Sequence, residues 1–209
     1  MRLIETLSIG SLALALVGLP AVALASEWDV DPSHSQVGFV VKHLMISDVH
    51  GDFKKFTGVV DMDDKDLTKS KVEVSIDTDS VSTGDEKRDG HLKSPDFFDA
   101  AKFPKMTFKS TKISKAGKDK YKVAGQLTIK ETTKPVELLV EGLGKQIKDP
   151  WGGTRTAATA TAKINRKDFG ITWNKDLDGG GVVVGNDVKL ELAVELSKKA
   201  PPAAAEASK

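Results

Sequence analysis

The stretch Ser33–Phe56, SHSQVGFVVKHLMISDVHGDFKKF, carries three of the chain's four histidines. Histidine is the side chain that titrates near neutral pH and the commonest ligand for transition metals, so chemistry is sought here first. His34 and His43 are nine positions apart. An odd spacing within one strand points two side chains to opposite faces. His43 and His50 are seven apart with a turn expected between them, and His91 falls in a different segment. There is no His-x-His pair and no helical His-x-x-x-His, so no metal ligand set is expected.

Other chemistry fares no better. The chain has no cysteine, hence no thiol nucleophile, and it lacks Gly-x-Ser-x-Gly. Asp176–Gly185 (DLDGGGVVVG) is glycine-rich but matches neither a phosphate loop nor a dinucleotide fingerprint, and reads as a rim loop. Asp61–Asp66 (DMDDKD) lacks the glycine and distal glutamate of a calcium loop and reads as a charged hairpin tip. Arg88, Asp89 and His91 read as a polar cluster that anchors a helix. No catalytic residue and no cofactor are expected. Thirty-one Lys and Arg against thirty Asp and Glu, interspersed, leave a net charge of +1, which is no footprint for nucleic acid.

The elements that would position any site repeat with a period of two. In Gln36–His43, Val37, Phe39, Val41 and His43 share one face. In Lys120–Lys130, Tyr121, Val123, Gly125, Leu127 and Ile129 share one face against lysines, Gln126 and Thr128. Val182–Leu196 alternates over a longer run, and shorter versions occur at Val49–Asp61, Lys71–Thr78, Lys105–Ile113, Pro135–Gly144 and Thr156–Arg166. Clusters of Gly, Asp, Asn, Lys and Pro separate them. One segment, Thr83–Ser94, reads as a short helix, with Thr83 as its expected cap. The fold class is therefore all-β with one short helix. Eight sequential strands with one apolar face close into an eight-stranded antiparallel, lipocalin-like barrel.

A barrel of eight strands is just wide enough to fill itself or to hold one small ligand. Thr156–Arg166 places Ala158, Ala160, Ala162 and Ile164 on one face. Three successive core positions thus carry only a methyl group, and Gly142 and Gly144 on the neighbouring strand are expected to add further space. An empty void forfeits packing contacts along its lining, so an apolar ligand is expected there. In the competing arrangement Phe39, Phe108 and Trp173 reach across and fill the gap.

The ends are different in kind. Met1–Ala25 reads as a secretory signal peptide, with Arg2, an apolar run Leu7–Leu19 and the cleavage triplet Ala23-Leu24-Ala25. Residues 26–199 form the barrel domain, and Ala200–Lys209 reads as a disordered tail. No membrane span is expected once the leader is removed.

Five segments carry a family likeness: DPSHSQVGFVVKHLMISDVHGDFKKFTG (Asp31–Gly58), SIDTDSV (Ser75–Val81), RDGHLKSPDFFDAAKFPKMTFKST (Arg88–Thr111), VAGQLTIKETTKPVEL (Val123–Leu138) and INRKDFGITWN (Ile164–Asn174). With them the chain resembles the YceI-like polyisoprenoid-binding family of exported bacterial proteins. It departs in IKETTKPV, where the family usually has glycine near Glu131. The resemblance implies a periplasmic, lipocalin-like barrel that binds a long-chain isoprenoid or similar amphiphile, without catalysis. The residues expected against such a ligand are Val37, Phe39, Val41, His43, Phe53, Met106, Phe108, Tyr121, Val123, Leu127, Leu138, Ala158, Ala160, Ala162, Ile164 and Trp173. The alternative is an enzyme or redox partner acting on a bound isoprenoid quinone, with His43 or Tyr121 as acid or base. A homodimer is compatible with apolar rim loops.

Overall fold

The structure, a computed structural model, describes residues 25–200. The expected leader and tail lie outside it apart from Ala25 and Ala200. The strands are β1 (Ser26–Val30), β2 (Gln36–His43), β3 (Ser47–Phe53), β4 (Phe56–Met62), β5 (Lys71–Asp77) and β6 (Val81–Ser82). After helix α1 (Glu86–Lys93) follow β7 (Lys105–Gly117), β8 (Lys120–Ile129), β9 (Thr132–Glu141), β10 (Ile147–Lys148), β11 (Thr154–Asn165) and β12 (Val184–Lys198).

Several of these are pieces of one longer strand. A short 3-10 turn at Pro32–His34 interrupts β1 and β2, and residues 54–55 interrupt β3 and β4. β1 pairs with β4 where β2 pairs with β3. Taking each broken strand as one leaves eight, every neighbour antiparallel. β12 closes the ring by pairing with β11 from Arg155↔Ser197 to Asn165↔Asp187, and with β1 and β2 on its other side. Closure removes the free edges that an open sheet of this size would present. β1 was not legible as a separate strand, because only Trp28 and Val30 alternate over five residues.

β9 meets β11 over three register pairs, Thr159↔Glu141, Ala160↔Val140 and Thr161↔Leu139. Pro135, which has no N–H to give, lies in the part of β9 without a β11 partner. At the β8–β9 turn, Lys130 takes a positive φ of 55°.

The barrel has two differently built ends. One is plugged by Trp28, which is fully buried with Val60, Met62 and Leu196. Outside this plug Arg155 clasps three elements. Its Nη1 donates to Asp31 (2.6 Å) and Glu195 (2.7 Å), and its Nε donates to Asp149 (2.9 Å). The other end is capped by α1 and the residues that follow it. The helix cap is Asp85, whose side chain accepts from the Arg88 N–H, not Thr83. Thr83 instead donates through its N–H and hydroxyl to Asp89 and accepts from Arg88 Nε. Arg88 and Asp89 thus tie the helix to its own entry. A cap residue needs its oxygen two or three residues ahead of a free N–H, and Asp85 meets that condition once the helix starts at Glu86.

Candidate functional site

The inward faces enclose a cavity of about 250 Å³. For comparison, an engineered cavity of about 150 Å³ takes up benzene. The lining runs from Leu92, Phe97, Phe98 and Ile171 at the helical cap to Leu143 and Leu196 near the Trp28 plug. Apart from Gly38 and Arg166 every lining residue has an apolar side chain.

Two glycines explain why the space exists. Phe39 lies directly opposite Gly51 across β2 and β3. A Cβ on Gly51 would come within 2.3 Å of Phe39 Cζ. Likewise a Cβ on Gly125 would meet Phe108 Cζ at 2.4 Å. Each ring therefore folds onto the bare backbone of a neighbouring strand. A side chain at either glycine would force the ring off the wall and into the lumen. Phe53 continues the aromatic wall, with ring centroids 5.8 Å from Phe39 and 5.6 Å from Phe98. On β11 the buried Ala158 and Ala160 add no volume of their own.

Of the residues expected against a ligand, Val37, Phe39, Val41, Phe53, Met106, Phe108, Leu127, Leu138, Ala158, Ala160 and Ile164 line the cavity. Val123 is buried in the same core, and Tyr121 and Ala162 are half-buried against it, but none of the three reaches the cavity. Tyr121 and Val123 sit toward the β7–β8 hairpin, beyond a register shift in β7 after Ser110. Trp173 stays out of the lumen. It meets His91 edge-to-face (ring centroids 4.9 Å apart) and Phe97 at a tilt (5.3 Å) in the helical cap, and His91 Nε2 lies 2.9 Å from Asp96 Oδ2. His43 is exposed at the tip of β2, paired in the hairpin with Ser47, and does not line the cavity. Strand parity alone put it with Val41; the strand outruns the cavity before its last residue. Gly142 and Gly144 are also not lumen positions. With φ of 84° and 120° they form the turn after β9.

The remaining histidines make contacts of their own or face solvent. His50 is exposed. His34 Nδ1 lies 3.0 Å from Asp31 Oδ2, and Asp31, His34 and Glu195 come close enough to resemble a ligand set. The Arg155 guanidinium already sits between the two carboxylates, so a cation occupies the place that a metal would take.

Arg166 was missed. It is 5 % exposed and follows Ile164 by two residues, so it keeps the inward parity of Ala158, Ala160 and Ile164 just past the end of β11. That parity was the available signal. Its Nε donates to Gly185 O (2.9 Å), Nη1 to Ile171 O (2.9 Å) and Trp173 O (2.8 Å), and Nη2 to Val184 O (3.3 Å). The guanidinium thus gathers the rim loop between β11 and β12. Burial pulls its pKa below the ordinary value.

Fold and cavity together define a closed antiparallel barrel of the lipocalin-like kind, hollow, apolar inside and capped by a helix. The chain belongs to the YceI-like family: residues 28–196 match the YceI-like domain. A relative named Protein YceI from Salmonella newport is 43% identical over 152 residues, covering 72% of this chain and 78% of the relative. The Campylobacter jejuni YceI crystal structure is similar with a TM-score of 0.65 at 35% identity, covering 76% of this chain and 90% of that one. A polyisoprenoid-binding domain from Saccharophagus degradans, implicated in plant cell wall breakdown, is similar with a TM-score of 0.61, covering 84% and 99%. At 15% identity that likeness is one of fold alone.

Proposed function

We propose that this chain is a periplasmic binding protein that holds a long-chain isoprenoid or similar amphiphile inside its barrel, for transport, storage or sequestration. The observation that carries this reading is the cavity itself: about 250 Å³ of apolar-walled space inside a fold that needs no such space to close. Apolar surface facing a void gains nothing until an apolar chain covers it. The polyisoprenoid-binding domain of the same fold supports the class of ligand. The leader expected at Met1–Ala25 supports export, and no helix among the described residues is long and apolar enough to cross a membrane.

The quinone-enzyme alternative draws no support from the geometry, since neither His43 nor Tyr121 lines the cavity. The test is native mass spectrometry of the protein purified from the periplasm, followed by uptake of geranylgeraniol by delipidated protein. A bound lipid mass and saturable uptake are expected. Purified protein without lipid that also takes up none would overturn the proposal.

A further inference from the structure

The β2–β3 hairpin ends in a turn of unusual composition. Its residues are His43, Leu44, Met45 and Ile46, and the Ile46 N–H closes it by donating to the His43 carbonyl (3.1 Å). Both central residues have positive φ, 50° at Leu44 and 61° at Met45. A tight turn of this kind is normally built from Asn and Gly, which take that backbone with little strain. Leucine and methionine do not. The side chains also face water, with Met45 52 % and Ile46 82 % exposed. Asn and Gly would close the same turn without strain and without apolar exposure. A tip that carries both penalties points to a use for its side chains.

The rim loop holds this tip in place. The Leu44 N–H donates to the Val183 carbonyl (2.8 Å). Met45 and Leu177 flank Gly181, at 3.7 and 4.0 Å from where a Cβ on it would stand. Hairpin and rim loop thus form one apolar knob. It stands at the capped end of the barrel: Val41, two residues before His43, and Val184, the β12 partner of His43, both line the cavity. The other end is closed by the fully buried Trp28. A long apolar chain therefore reaches the cavity from the end that carries the knob. Lys42 at the base of the turn is paired with Asp48 (3.0 Å), and Asp176 and Asp178 outnumber Lys175 in the adjoining loop. The knob has no excess of positive charge.

We propose that the Leu44–Ile46 tip docks the protein on a lipid bilayer by apolar insertion, with the capped end of the barrel toward the membrane. A protein partner fits the tip less well. A stable protein interface takes about 800 Å² from each side, spread over roughly 20–30 residues, and one projecting turn supplies a small part of that. A bilayer sets no such minimum, because fluid lipid closes around a convex apolar knob. The purpose of docking rests on the lipid-binding reading: a long-chain amphiphile partitions into membranes, and docking brings the reachable end of the barrel to it. Ile147 and Trp151 are exposed as well. Their hairpin, β10–β11, lies at the plugged end, where Arg155 pairs with Ile147 on one side and Ser197 on the other.

The test is flotation of delipidated protein with vesicles of phosphatidylcholine, and with vesicles of phosphatidylethanolamine and phosphatidylglycerol. Both should carry the wild type upward. Raising salt from about 0.1 M to about 0.5 M should change the partition by less than about twofold, since an apolar contact is not screened. The double variant M45S/I46S should lower the partition by roughly tenfold or more, as for two large apolar side chains lost from the contact. The variant L44N/M45G gives the turn its preferred residues, so Tm should hold or rise while flotation falls. Its uptake of geranylgeraniol from aqueous dispersion should match wild type, while transfer of geranylgeraniol out of vesicles should slow by roughly tenfold. W151S should float as wild type does. Wild type that takes up geranylgeraniol but floats with neither vesicle overturns the docking alone. So does flotation that survives in both tip variants, that high salt abolishes, or that is lost in W151S and kept in the tip variants. A dimer in solution that L44N/M45G takes apart would assign the tip to a second copy of the chain instead. Wild type that floats but takes up no geranylgeraniol removes the lipid-binding reading and leaves the docking standing.

Discussion

Replacing Ala160 by phenylalanine sets the hollow barrel against the filled one, because the two respond with opposite signs. Ala160 is buried on β11 between Leu192 of β12 and Val140 of β9, and it lines the cavity. A ring needs space on the order of 100 Å³, less than the ~150 Å³ that accommodates benzene, and the cavity offers about 250 Å³. Filled cavity volume is worth about 24 cal/mol per Å³, so the ring would stabilise the ligand-free barrel by about 2 kcal/mol. At about 2–4 °C per kcal/mol for a domain of this size, Tm should rise by roughly 4–8 °C. In a filled core the same ring would cost about 1–3 kcal/mol. The ligand should suffer, since the ring takes the room of about six heavy atoms at ~0.3 kcal/mol each, a loss of roughly twentyfold in affinity. Calorimetry of delipidated Ala160→Phe, beside geranylgeraniol uptake, measures both. A lowered Tm, or uptake equal to wild type, would refute the reasoning about this cavity.

Three further outcomes follow from particular contacts. Gly125→Ala should destabilise by about 1–3 kcal/mol, because its Cβ would lie 2.6 Å from the Lys109 carbonyl as well as against the Phe108 ring; urea unfolding checks this, and an unchanged midpoint would contradict it. Lys130→Gly should raise stability by up to about 1 kcal/mol, since it relieves a left-handed backbone at the β8–β9 turn; a fall in Tm would show that the turn is not strained. Hydrogen bonds from His34 and Arg155 hold the Asp31 carboxyl well below its ordinary 3.8, and Arg155 lowers Asp149 in the same way. A depressed carboxylate stabilises the fold above its unfolded pKa and loses that contribution as pH falls toward the folded value. Arg155→Met should therefore lower Tm at pH 7, with the gap to wild type narrowing below about pH 4; an equal gap at pH 7 and pH 2.5 would exclude the linkage.

The strand order and most of the inward faces were legible in the sequence, since alternation is a local property of the pleat and needs no knowledge of the neighbours. Val37, Phe39 and Val41, Leu127, and Ala158 with Ala160 all line the lumen for that reason. The same rule failed at strand ends. His43 keeps the parity of Val41 but lies past the cavity, and how far a strand runs beyond the lumen depends on the strands beside it. Gly142 and Gly144 followed the pattern of β9 but belong to the turn that ends it. β1 was hidden because a five-residue strand has too few alternations to stand out, although Trp28 becomes the plug of one end. What only the tertiary structure decided is whether the barrel is hollow. Phe39 and Phe108 carry enough volume to fill it. They leave it open because Gly51 and Gly125 arrive beside them from other strands. Local pattern sets which face a residue takes, and cross-strand neighbours set where its side chain goes.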